Sequence, residues 1–409
     1  MSSTNSSASS SMPPALERRL KYSGPALFSY GFRPFFLAGA LWSVACIVLW
    51  IPQFTGDLSL KTAYSPLDWH IHEMLYGYVA AIVAGFLLTA IPNWTGRLPI
   101  NGLPLMMLAA LWLAGRLAIF FSAYLGILAA GVIDVGFLTT LAAVAAREII
   151  AGRNWRNLRV LVLIGVLIAG NIAFHAEVYL FGGANYSIRI SIAAVIMLIT
   201  LVGGRVVPSF TRNWLARQEK GRLPAPFSRF DAAAIAVSLV SLVLWIGWPD
   251  SAVTGIALIA AAIMQGARLV RWAGDRTASD RLVLVLHVGY AFVTIGFALL
   301  GVSILDPLIV SNSVGIHAWT AGAFGLMPLA VMTRASLGHT GQPLTAGWRT
   351  QAIYFFALCA ALLRIIAGLV GSMLLMECAG VAWVAAFGGF VLFYGPMLCQ
   401  QPPVWAGRE

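Results

Sequence analysis

Two imidazoles and two carboxylates open one of the longest apolar stretches of this chain. Asp68, Trp69, His70, Ile71, His72 and Glu73 precede a run that closes with Pro92, Asn93, Trp94 and Arg97. The run is about 20 residues long, enough to cross a bilayer. Ionisable groups at the mouth of such a helix are costly to place and mark function. Imidazole suits haem iron, copper and zinc alike, so the cluster reads as metal-ligand chemistry near one membrane surface. The remaining histidines are His175, His287, His317 and His339. The competing reading of His70 and His72 is a polar helix start with Asp68 as N-cap. On a regular helix, residues two apart point about 200° away from each other. Both face one site only if His70 precedes the first turn.

The elements that must position these groups follow from composition. Of the 409 residues 60% are hydrophobic and 10% charged, against roughly a quarter charged in soluble domains. Apolar runs recur from end to end, so the fold class is an all-α polytopic membrane protein, not a membrane β-barrel with short alternating strands. Twelve spans are expected near 32–52, 71–92, 102–122, 125–146, 159–181, 186–208, 230–248, 252–272, 282–303, 312–333, 350–371 and 377–399. Residues 23–409 form one transmembrane domain. The Ser-rich, then basic segment 1–22 has no apolar core with a cleavage site and reads as a disordered tail rather than a signal peptide. Cys46, Cys359, Cys378 and Cys399 form no metal spacing and read as small apolar residues. Met376-Glu377-Cys378 is a weak candidate for a soft copper donor.

The formal charge of +11 is a topology signal. Apart from Lys61 and three arginines inside spans, every Lys and Arg falls at the N-terminal end, in an even-numbered loop or at the C-terminal end. By the positive-inside rule both termini are cytoplasmic, and nucleic acid is dropped as a partner. Arg116, Arg189 and Arg364 then lie inside spans three, six and eleven, in the outer half of the bilayer. Glu73, Glu177 and Glu377 also come out near the outer surface, and Asp134 nearer the middle of span four. Spans two, six and ten end in similar small-and-polar exits with arginine, a weak hint of three four-helix units.

The same orientation gives the histidines depths. His175, roughly 16 residues into span five, lies about 24 Å up a ~30 Å core. His70 and His72 at the start of span two, and His317 one turn into span ten, share that outer depth. Each has a bland alternative, a hydrogen-bonded packing role. His287 falls near the cytoplasmic start of span nine and His339 in a cytoplasmic loop, where no ligand role is required.

Four blocks carry a resemblance. FSYGFRPFFLAGALW at 28–42, SPLDWHIHEMLYGYVAAIVAGFLLTAIPNWTGR at 65–97, LHVGYAFVTIGFALLG at 286–301 and VMTRASLGHTGQPL at 331–344 resemble the signature blocks of the NnrS family. That likeness implies a twelve-span protein of the bacterial cytoplasmic membrane that contains haem, expected as b-type, and copper. It implies a role in the nitric oxide response and protection from nitrosative stress, with nitric oxide as ligand and an unspecified electron donor. The family's histidines fall on His70, His72, His287, His317 and His339. A looser likeness to haem-copper oxidases stays at fold level, since spans six and seven carry no histidine here.

The expected site follows. His70 or His72 with His317 ligates haem, while His175 serves copper or a second axial position. Glu73 and Glu177 support the ligands. His70, His72, His175 and His317 are the metal set, with His287 and His339 as further candidates. Arg116, Arg189 and Arg364 are candidates for the haem propionates, because guanidinium pairs bidentately with carboxylate. Salt bridges to Glu73, Glu177 or Asp134 compete for the same arginines. A redox protein that binds or turns over nitric oxide is the enzymatic form of this reading. The alternative is a transporter of an ion, metal or small anion along intramembrane Arg, Glu and His residues.

Overall fold

The structure, a computed structural model, describes residue 22 and residues 24–401. Tyr22 aside, the tail expected over 1–22 lies outside the described residues. Among these residues the chain is helical and has no strand. Helix is what an apolar chain adopts in hydrocarbon, because it satisfies every backbone N–H and C=O within the segment.

Among the described residues, twelve helices are long and apolar enough to span a membrane. They are α1 (Phe32–Thr55), α2 (Pro66–Thr95), α3 (Leu103–Phe120), α4 (Ile127–Ala151), α5 (Trp155–Phe181), α6 (Tyr186–Leu215), α7 (Arg229–Gly247), α8 (Ala252–Val270), α9 (Arg281–Leu305), α10 (Asn312–His339), α11 (Trp348–Val370) and α12 (Met373–Cys399). This is the expected all-α, twelve-span architecture. Large apolar side chains stand exposed on the outer helices, Val132, Val162 and Leu392 among them. An exposed apolar belt of this kind fits lipid rather than water.

The helices are not equivalent. The apolar stretch of α2 is 83% buried, followed by α10, α6 and α9, whereas the other eight spans are 33–44% buried. The helix with the His-x-His pair is thus the most enclosed. Buried polar links lock the bundle. Arg33 donates to the carbonyls of Leu398 and Gln400, joining the start of α1 to the end of α12. Arg268 pairs with Asp231 and donates to the Tyr290 hydroxyl, which donates in turn to Gln265.

Two local features place the histidines. Helix α2 begins at Pro66, five residues before its expected start. Ser65 is the N-cap, its Oγ accepting from the Asp68 N–H at 3.1 Å, and Pro occupies the first position. Pro is preorganised for that position and lacks only an N–H that would have no partner there. Asp68 is therefore not the N-cap. Its carboxylate accepts from Ser65 Oγ and from the Ala184 N–H, pinning the α5–α6 loop to the head of α2. In addition, α2 and α10 each pass into a π-helical segment directly after a histidine: Glu73–Val79 follows His72, and Ala318–Ala323 follows His317. Such segments are rare in helices and gather at functional sites.

Candidate metal centre and adjoining cavity

Because α2 starts at Pro66, His70 and His72 both sit on regular helix and leave it on opposite faces. The pair does not share a site.

His72 enters a buried polar cluster built by α2, α3, α4 and α5. Its Nδ1–H donates to Glu73 Oε1 at 3.0 Å, and its Nε2 lies 3.2 Å from Asp134 Oδ2. No hydrogen bond is made by that Nε2. His175 brings Nε2 to 3.2 Å from the same Oδ2, and its Nδ1 lies 2.7 Å from the Tyr64 hydroxyl. The two imidazole rings are 4.9 Å apart. Asn171, one turn before His175 on α5, donates to Asp134 Oδ2 at 2.8 Å. Gly131 makes room: a Cβ there would lie 2.9 Å from His175 Cγ.

Arg116 ties the carboxylates together. It donates to Glu73 Oε2 at 2.7 Å and to Asp134 Oδ1, and Trp42 Nε1 also donates to Glu73 Oε2 at 2.6 Å. His72, Glu73, Arg116, Asp134 and His175 are all buried. Two carboxylates face one guanidinium, so with neutral imidazoles the cluster carries a net charge of −1 inside a membrane protein. Burying an uncompensated charge is expensive. Burial, then the Glu73 charge, pushes the Tyr64 phenol above its ordinary range, so Tyr64 keeps its O–H.

The donor set is one that could hold a metal ion. Ligand atoms of His72, Asp134 and His175 lie within 4.8 Å of one another. His72 gives its Nδ1–H to Glu73, so its Nε2 lone pair turns toward Asp134. His175 gives its Nε2–H to Asp134 and accepts from the Tyr64 O–H at Nδ1, so a cation bound at that Nε2 would take the place of a proton. A metal-binding histidine held by a carboxylate on its other nitrogen is the usual orienting arrangement. Two imidazoles and a carboxylate suit copper(II), zinc or iron(II).

His70 opens the other way, onto a cavity of about 920 Å³ that His317 also lines. His70 stacks on Trp50 with ring centroids 4.2 Å apart. His317 Nδ1–H donates to the Ser313 carbonyl at 2.7 Å, leaving Nε2 as the free nitrogen. Arg189 and Arg364 line the same cavity. Their polar partners are neutral: Arg189 donates to Asn185 Oδ1 at 2.6 Å and Arg364 to Ser313 Oγ at 3.3 Å.

The other candidates fall elsewhere. Arg116 is absent from the cavity lining and forms salt bridges with Glu73 and Asp134. Glu177 caps α6, accepting from the backbone N–H of Asn185, Tyr186 and Ser187 and from Ser187 Oγ. It supports no histidine. His287 bonds Thr211 through Nε2 at 2.8 Å, and His339 stacks on Tyr30; neither joins the cluster or the cavity lining. Of the weak copper motif, Met376 lines the cavity while Cys378 is exposed.

Asp134, Asn171, Tyr64 and Trp42 were absent from the expected site. In the sequence Asp134 is a carboxylate near the middle of span four, a candidate ion-pair partner for the intramembrane arginines. Asn171 was signalled by its spacing of four from His175, which sets both on one helix face. Nothing local marks Tyr64 or Trp42.

Fold and site together define a polytopic α-helical membrane protein with a buried His/carboxylate centre beside a histidine-lined cavity. The family model of the NnrS protein matches residues 26–401, nearly the whole chain. The chain belongs to the NnrS family. No curated protein matches it.

Proposed function

We propose that this protein binds haem and copper in the bacterial cytoplasmic membrane and acts in the nitric oxide response, protecting against nitrosative stress. Family membership supports the cellular role. One observation carries the metal reading: two imidazole nitrogens converge on Asp134 Oδ2 at 3.2 Å each, in a buried cluster one positive charge short of neutral. Copper is held by His72, His175 and Asp134. When bound there it supplies one-electron chemistry and a coordination position for nitric oxide. The chain's own residues preorganise that position. Glu73 and Tyr64 fix the two rings, Arg116 and Asn171 fix Asp134, and Trp42 shields Glu73. With both termini cytoplasmic the centre lies in the outer half of the membrane. The transport alternative is less well served, because Arg116, Glu73 and Asp134 are bound to one another and Glu177 to a helix terminus.

The test is metal analysis of the full chain purified in detergent after expression with ample copper and haem. The expected result is about one copper per chain, lost in both His72→Ala and His175→Ala while the haem spectrum is kept. Copper retained by both variants, or absent from the parent protein, overturns the assignment. Survival under nitric oxide in cells carrying the parent protein or either variant then tests the role.

A further inference from the structure

We infer that the 920 Å³ cavity holds one haem through both His70 and His317, with Arg189 and Arg364 taking its two carboxylates. This rests on the haem reading above and assigns that group its residues.

Electrostatics sorts the two sites. The His72 cluster has a carboxylate excess and attracts a bare cation. The cavity has the opposite balance: two guanidiniums line it with only Asp250 as a carboxylate, and no ion pair joins Asp250 to either arginine among the described residues. Two unpaired arginines repel a bare metal ion and are themselves costly within membrane spans. A metallomacrocycle that brings its own two carboxylates answers both problems, because guanidinium binds carboxylate bidentately.

The imidazoles are prepared for iron. His317 gives Nδ1–H to the Ser313 carbonyl at 2.7 Å, which leaves the Nε2 lone pair for a ligand and fixes the ring. The hydroxyl of the same Ser313 accepts from Arg364, so one residue ties His317 to an arginine that would take a haem carboxylate. The His70 ring makes no hydrogen bond among the described residues and is oriented by stacking on Trp50. His70, His317 and Arg364 all line the cavity. The walls are aromatic and aliphatic, with Tyr78, Trp245 and Trp383 among them, and the volume sits in the upper range of cofactor sites, about 300–1,000 Å³. His317 stands directly before the π-helical segment of α10, and His70 precedes that of α2 by less than one turn, in the two most buried helices. Haem held by both imidazoles would be low-spin.

The experiment is electron paramagnetic resonance and optical spectroscopy of the oxidised full chain in detergent, with copper measured on each sample as a marker of folding. The parent protein is expected to give a low-spin bis-imidazole signal. His70→Ala and His317→Ala are each expected to turn it high-spin or to lose haem, with copper unchanged and the low-spin signal restored by added imidazole. Arg189→Ala and Arg364→Ala are expected to release haem to an apoprotein acceptor at least several-fold faster. A low-spin signal unchanged in both histidine variants overturns the assignment while leaving the protein a haem protein. No haem in the parent protein, expressed haem-replete, overturns the haem reading itself. If an alanine variant loses copper as well, imidazole decides: recovery of the low-spin signal supports the assignment, and failure to recover it counts against it.

Discussion

His70 and His72 are two residues apart on one turn of α2 and belong to different surroundings. His70 stacks on Trp50 at 4.2 Å beside a large cavity, and the ring of His72 lies 4.9 Å from that of His175 in a buried carboxylate cluster. A His-x-His motif is often taken as one chelating unit. On a helix that starts at Pro66 it points one imidazole into each of two separate surroundings.

Tyr64→Phe removes the partner of His175 Nδ1. Loss of such an orienting hydrogen bond lowers metal affinity by roughly 10–100-fold and stability by about 1 kcal/mol. A copper titration against a chelator of known affinity measures the first. Unaltered affinity would remove Tyr64 from the centre.

Arg116→Met leaves two carboxylates buried without their shared cation. Breaking a buried pair from one side costs about 3–5 kcal/mol, so the variant is expected to unfold well below the parent protein in detergent. Adding Glu73→Gln and Asp134→Asn removes both stranded charges and is expected to recover most of the thermal stability but none of the copper. A triple variant as unstable as the single one would show that charge balance is not what Arg116 provides.

Gly131→Ala places a methyl group 2.9 Å from His175 Cγ, at the root of the ring where little can give. The ring must shift, and copper affinity is expected to fall about tenfold or more by the sensitivity of metal sites to ligand orientation. Helical content stays the same. Circular dichroism alongside the titration checks both halves of this expectation.

Glu177→Gln tests the capping role. The carboxylate accepts from three backbone N–H groups at the start of α6, where negative charge also meets the positive end of the helix dipole. Its loss is expected to cost about 1–2 kcal/mol, with haem and copper contents equal to the parent protein's. A change in either content would return Glu177 to the site.

Span number and helical class were legible because the physics behind them is local: a bilayer demands a certain length of apolar chain, and basic loops alternate with it. Site pairing was less so. Arg116 is as suited to a propionate as to Glu73 or Asp134, and only the packing of α2, α3 and α4 decides between residues 43 and 18 positions away. Helix α2 starts ahead of the apolar run at Ile71 because the Ser65-Pro66 cap extends it through polar residues. That shift of five residues is what separates His70 from His72. Tyr64 lies in a loop, and its contact with His175 spans 111 residues, so no periodicity could reveal it.

The opposed exit of the two histidines from the most enclosed helix has a mechanical consequence. Turning α2 about its long axis carries the two rings sideways in opposite directions, as a key moves both edges of its blade. Whatever seizes one ring sets the azimuth of the helix and thereby the reach of the other. The two surroundings share one shaft, so a ligand held by one ring would also restrain the other.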